Sequence, residues 1–102
     1  MEVIAEGPTA WFLLRDGDAL LLEARCSHSA VDYGWLVELN AGERAGWAER
    51  GGAWIDELAQ AIHSSAPGVI GNNSPYRDRK VDAARGQQVD AAIAAWIKAR
   101  DA

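Results

Sequence analysis

Two apolar runs separated only by Asp16-Gly17 constrain this chain more than any other feature. Thr9 to Arg15 is short, apolar and aromatic, and Ala19 to Cys26 resumes the pattern at once. Asp-Gly between such runs predicts a β-hairpin, because glycine accepts the positive φ that tight hairpin turns require. A third strand is predicted over Tyr33–Leu39, where Tyr33, Trp35, Val37 and Leu39 alternate onto one face. Ser27-His28-Ser29 is read as the turn before it, and Val3-Ala5 as an optional edge strand ended by Gly7-Pro8.

The strands give way to helical spacing at Asn40. Its side chain is placed to cap a first turn while Glu43 reaches back to it, a capping box. Trp47, Gly51, Trp54, Ile55, Leu58, Ala61 and Ile62 then recur as one stripe, with a kink or split expected at Gly51-Gly52. A second amphipathic helix is expected from Asp82 or Gly86 to Arg100, with Val89, Ala92, Ile93, Trp96 and Ile97 on one side. Strands followed by helices predict one α+β domain over residues 1–102: an antiparallel meander of three or four strands with both helices on one sheet face.

That arrangement leaves a surplus. A two-residue turn at Asp16-Gly17 sets Trp11, Leu13, Leu20 and Leu22 on one face and Phe12, Leu14 and Leu21 on the other. A three-residue turn including Asp18 instead groups Trp11, Leu13 and Leu21. Either register leaves three large apolar residues on the second face, each worth roughly 1.5–3 kcal/mol when buried. The long connection Ser65–Val81, a second copy of the chain or another protein would each cover them. Trp11, Phe12, Leu14 and Leu21 are therefore the candidate interface residues. Trp47, Trp54 and Trp96 lie on helical stripes and are read as core.

Charge bears on the partner. Residues 1–64 carry −7 and residues 65–102 carry +2. An acidic larger part repels phosphates, which disfavours nucleic acid. No apolar run approaches the roughly 20 residues of a membrane-spanning helix, and the first residues lack the pattern of a secretory signal. The lone Cys26 excludes an internal disulfide and suits a reducing, cytoplasmic setting.

Chemistry-bearing patterns are sparse. Cys26-Ser27-His28 is read as a buried cysteine beside a turn histidine, since no third group orients a base. One Cys and two His fall short of a structural zinc set, so no metal, no cofactor and no catalytic residue is assigned. Glu23 and Glu38, on adjacent strands, are read as solvated surface charges.

The connection Ser65–Val81 is the exception, because long structureless segments in compact domains are usually functional or disordered. Tyr76, Arg77, Arg79 and Lys80 are the candidate ligand-binding residues, with guanidinium groups suited to a carboxylate or phosphate. The competing view has these cations pinning the loop to nearby acids. The sequence thus predicts a protein-binding module rather than an enzyme, acting as a homodimer or as an acidic inhibitor or adaptor with a basic partner. The alternative is a protein or enzyme that binds a small anionic ligand through the Ser65–Val81 connection.

Overall fold

The computed structural model describes residues 1–7, 11–28, 31–65 and 74–101. Four strands, β1 (Glu2–Gly7), β2 (Trp11–Asp16), β3 (Ala19–His28) and β4 (Val31–Glu38), precede α1 (Ala41–Arg50), α2 (Gly52–Ser65), a short 3-10 turn (Arg77–Arg79) and α3 (Ala83–Asp101). The strands form one antiparallel sheet in sequence order, as expected of a meander. The optional edge strand is real and longer than Val3–Ala5.

The first hairpin closes through Gly17-Asp18, with Asp16 opposite Ala19 and Gly17 at φ 60°. The loop has two residues but sits one position later than Asp16-Gly17. Face membership is unchanged by that shift, because both partners move by one residue. Leu13 therefore faces Leu22, and Leu14 faces Leu21 on the opposite side. The second turn differs from expectation. Ser27 and His28 extend β3, opposite Asp32 and Val31, so they are not the turn.

β1 contains a bulge that serves packing. Val3 pairs with Leu14, but Ala5 pairs with Leu13, which leaves Ile4 as the extra residue. The insertion reverses the alternation, so Val3 packs with the Leu14 face and Ala5 with the Leu13 face.

Helices cover both faces of the sheet, which corrects the expectation that both lie on one. On the first face, Trp11, Leu13, Leu22, Trp35, Val37 and Leu39 pack with Ile55, Leu58, Ala59 and Ile62 of α2. On the second, Leu14, Leu21 and Leu36 pack with Val89 and Ile93 of α3. The chain passes between the faces around the edge of β4: Val37 and Lys80 form an isolated bridge, and the Val81 N–H donates to the Leu36 carbonyl at 3.0 Å. The apolar surplus of the hairpin is thus satisfied by the chain's own third helix.

Local chemistry explains the helix boundaries. Asn40 and Glu43 form the predicted capping box at 2.9 Å in both directions. The helical stripe divides at Gly51, whose φ of 67° suits glycine and separates α1 from α2. Close approach restores contact between them, since the Trp54 indole lies against Gly46, where a methyl group would overlap it. Asp82 caps α3, its Oδ1 accepting the Arg85 N–H at 2.9 Å. No helix among the described residues is long and apolar enough to cross a membrane.

Candidate functional site

The four candidate interface residues are not available at the surface. Trp11 is 2% exposed, Leu14 and Leu21 are fully buried, and Phe12 is half-buried with its ring edge-on to Trp96 at 6.1 Å. Their exposure was argued from helices on one face only, and α3 removes that premise. Trp11 also donates its indole N–H to Asp56 Oδ1 at 2.6 Å, tying β2 to α2 from inside the fold. Trp47, Trp54 and Trp96 are half-buried, less enclosed than their stripes implied.

The candidate anion site is likewise engaged internally. The Arg79 guanidinium grips the Glu43 carboxylate with both nitrogens, 2.9 Å for the longer contact, and donates to the Glu38 carbonyl at 3.0 Å. Glu43 thereby joins its own capping box to the crossing segment. Burial opposes ionisation of Glu43, but the hydrogen bond from Arg79, the Asn40 N–H and the Arg79 charge hold its carboxyl below the ordinary value. Tyr76 packs against the first core and its carbonyl accepts the Trp35 indole N–H at 3.0 Å. The Lys80 ammonium sits 4.8 Å from the centre of the Trp35 ring, and Arg79 stacks on Tyr76 at 5.8 Å. Arg79 is thus held by an acid of α1, whereas Tyr76 and Lys80 meet Trp35. The Arg77 side chain lies outside the described residues, as do residues 66–73 of the same connection.

Two features remain, and sequence reasoning had assigned a role to neither. One is the outer edge of β1. The edge of β4 is covered at Leu36 and Val37 by the crossing segment, whereas among the described residues no strand pairs with β1 from outside. Met1 and Ile4, 40% and 36% exposed, are the exposed large hydrophobic residues of the described chain; Ile4 lies in β1 and Met1 immediately precedes it. Glu2 and Glu6 flank Ile4, paired with Arg15 and Arg100 across partly exposed surfaces.

The other is a cleft of about 260 Å³ between the second sheet face and the start of α3, lined by Glu23, Gly34, Leu36, Gly86, Gln87 and Asp90 among others. Glu23 is the buried charged residue of the described chain, at 6% exposure, which corrects its reading as a solvated charge. It does not meet Glu38, which faces Leu21 and pairs with Arg85 at 3.0 Å. Burial raises the Glu23 pKa; Arg25 and Lys80 counteract this, and Asp90 adds to it. The signal lay in parity, since Glu23 shares the face of Leu21, which the apolar count assigned to a buried side. Among the described residues, no three His, Cys, Asp or Glu side chains converge as a metal site.

No family model, curated protein or solved structure matches this chain.

Proposed function

We propose that this protein is a non-catalytic binding module that takes a short, basic, extended segment of another protein along the outer edge of β1. The observation that carries this reading is the asymmetry of the sheet. One edge is covered by the chain itself, and the other presents Ile4 beside a backbone that no strand among the described residues pairs with from outside. An open edge is a template for strand addition, in which main-chain hydrogen bonds give affinity and alternate side chains give selectivity. The bulge at Ile4 breaks the straight run of the edge and limits the docked segment to a few residues.

Charge selects the occupant. The bulge puts Glu2 on the Leu13 face and Glu6 on the Leu14 face, so each side of the β1 edge carries a carboxylate, and a second copy of this acidic chain would bring more charge of the same sign. Lys or Arg on an incoming strand would meet those carboxylates favourably, and the −7 charge of residues 1–64 would steer its approach. The existing pairs to Arg15 and Arg100 are half-exposed and weak enough to exchange. We take the setting to be cytoplasmic, in keeping with a single cysteine, Cys26, buried in the first core.

Backbone amide NMR tests this with two six-residue peptides, one alternating Lys with Val and one alternating Glu with Val. The Lys peptide is expected to perturb the amides of residues 2–7, and Ile4→Lys to abolish the effect. Equal perturbation by the Glu peptide would refute the reading. So would a dimer seen by light scattering that Ile4→Lys dissolves, because the edge would then belong to a second copy.

A further inference from the structure

We infer that the cleft between the β3–β4 face and the first turns of α3 binds a small organic cation, a primary ammonium or guanidinium group, with the Glu23 carboxylate as its counter-charge. The site is distinct from the β1 edge and does not depend on it.

Glu23 is enclosed, yet among the described residues no ion pair or hydrogen bond engages its carboxylate. Neither oxygen is sealed away without a partner, and the residue lines the cleft. Two cations reach it by charge without a hydrogen bond: Arg25, 5.7 Å from the centre of the Phe12 ring, and Lys80, which lines the cleft with its ammonium over Trp35. A buried carboxylate without a hydrogen-bonded partner is costly, and a cation that donates to it reduces that cost.

The space is built into the backbone. A methyl group at Gly34 would overlap Glu23 Oε1, so glycine at this point of β4 is what lets the side chain lie across the sheet. Gly86, with open space where its Cβ would be, keeps the α3 side unfilled. Asp90 adds a second carboxylate to the wall, and Gln87 supplies an amide oxygen.

Two rival occupants fit less well. Anions favour helix N-termini, but Asp82 already occupies that of α3 by accepting the Arg85 N–H. A bare metal ion would need three or more converging acids, which the described residues do not provide. An ammonium or guanidinium group on a short carbon stem meets one carboxylate at the floor and another on the wall, with Leu36 and Val81 beside the stem.

The test is titration of the whole chain with methylguanidinium and n-propylammonium, followed by amide NMR. N-methylurea and propionate serve as neutral and anionic controls. Saturable shifts at Gly34, Gly86 and Gln87 are expected with the cations alone, at least tenfold weaker in Glu23→Gln. Asp90→Asn, on an exposed helical position, guards against a folding artefact and is expected to weaken binding by a smaller factor. A blocked Gly-Arg-Gly peptide separates two sources of the group: tighter binding than methylguanidinium marks a protein side chain, and weaker binding marks a free amine; either supports the site. No saturable binding, equal affinity in Glu23→Gln, or binding of propionate would overturn the inference.

Discussion

Truncating Ile93 to Ala asks whether the second sheet face is covered from within. Ile93 is 4% exposed and sits among Leu14, Leu21, Leu36 and Val89, so its loss removes three carbons from a packed layer. At about 0.8 kcal/mol per buried methylene the transfer term is near 2.4 kcal/mol. A residual cavity adds to it, for a total of about 3–4 kcal/mol. A domain of this length has only about 5–15 kcal/mol in all, so Ile93→Val, at about 1 kcal/mol, is the companion that surely folds. Urea denaturation read by tryptophan fluorescence reports both. With an m-value of about 1.5 kcal/mol/M, the midpoint should fall by about 2 M in the Ala variant. The wild-type midpoint should also be independent of protein concentration, because cover by a second copy would stabilise the fold by mass action. A loss below about 0.5 kcal/mol is what an exposed helical position would give, and it would refute the packing of α3 on this face. So would a midpoint that rises with concentration.

Arg79→Ala should destabilise the fold by about 1–3 kcal/mol, since it leaves a partly buried Glu43 without its charged partner. Glu43 is held below its ordinary pKa, so its contribution is present above the ordinary carboxylate range and lost as pH falls through the lowered value. The gap between wild type and Arg79→Ala in urea melts should therefore close in acid; a gap that persists would contradict the pairing. Glu23 behaves in the opposite sense: its raised pKa means the native state holds a proton the unfolded state releases, and stability falls as pH climbs from the ordinary value through the raised one. Glu23→Gln should remove that slope and be the more stable protein at neutral pH, as thermal melts at several pH values would reveal. Gly46→Ala should destabilise by about 1–3 kcal/mol through overlap with the Trp54 indole, against a helix-propensity gain of about 1 kcal/mol; a net stabilisation would disprove the close contact of α1 with α2.

Much of the fold was legible because local rules and burial agreed. The Asp16-Gly17 signal placed a hairpin within one residue of its loop, and parity then put Leu13 and Leu22 on one face and Leu14 and Leu21 on the other. Asn40 and Glu43 announced the start of α1, and Gly51 its end. The placement of α3 was not legible, because an amphipathic stripe says which side is apolar and not which sheet face it meets. The apolar surplus at Phe12, Leu14 and Leu21 was counted correctly, but an internal helix and an external partner satisfy such a count equally well. The internal pairing of Arg79 was hidden for a related reason. Arg79 has the chemistry to hold an anion, and the anion it meets is Glu43, 36 residues away, a pairing invisible in spacing. Glu23 was overlooked because a single acid in an apolar strand resembles a surface charge unless its parity is followed through to Leu21.

These corrections shift where binding is to be sought. The hairpin is enclosed on both faces by described residues, and the two rims of the sheet are unequal. The crossing segment that carries the chain from α2 to α3 must pass β4, and in doing so it caps that edge with the Lys80 bridge and the Val81 hydrogen bond. β1 receives no such cover from the described residues, and its bulge and flanking glutamates are the usual means of keeping an edge from pairing indiscriminately. Negative charge at an edge disfavours a second acidic copy and favours a basic strand. On the proposed function, the features that guard the β1 edge are therefore the same ones that would define which segment it accepts.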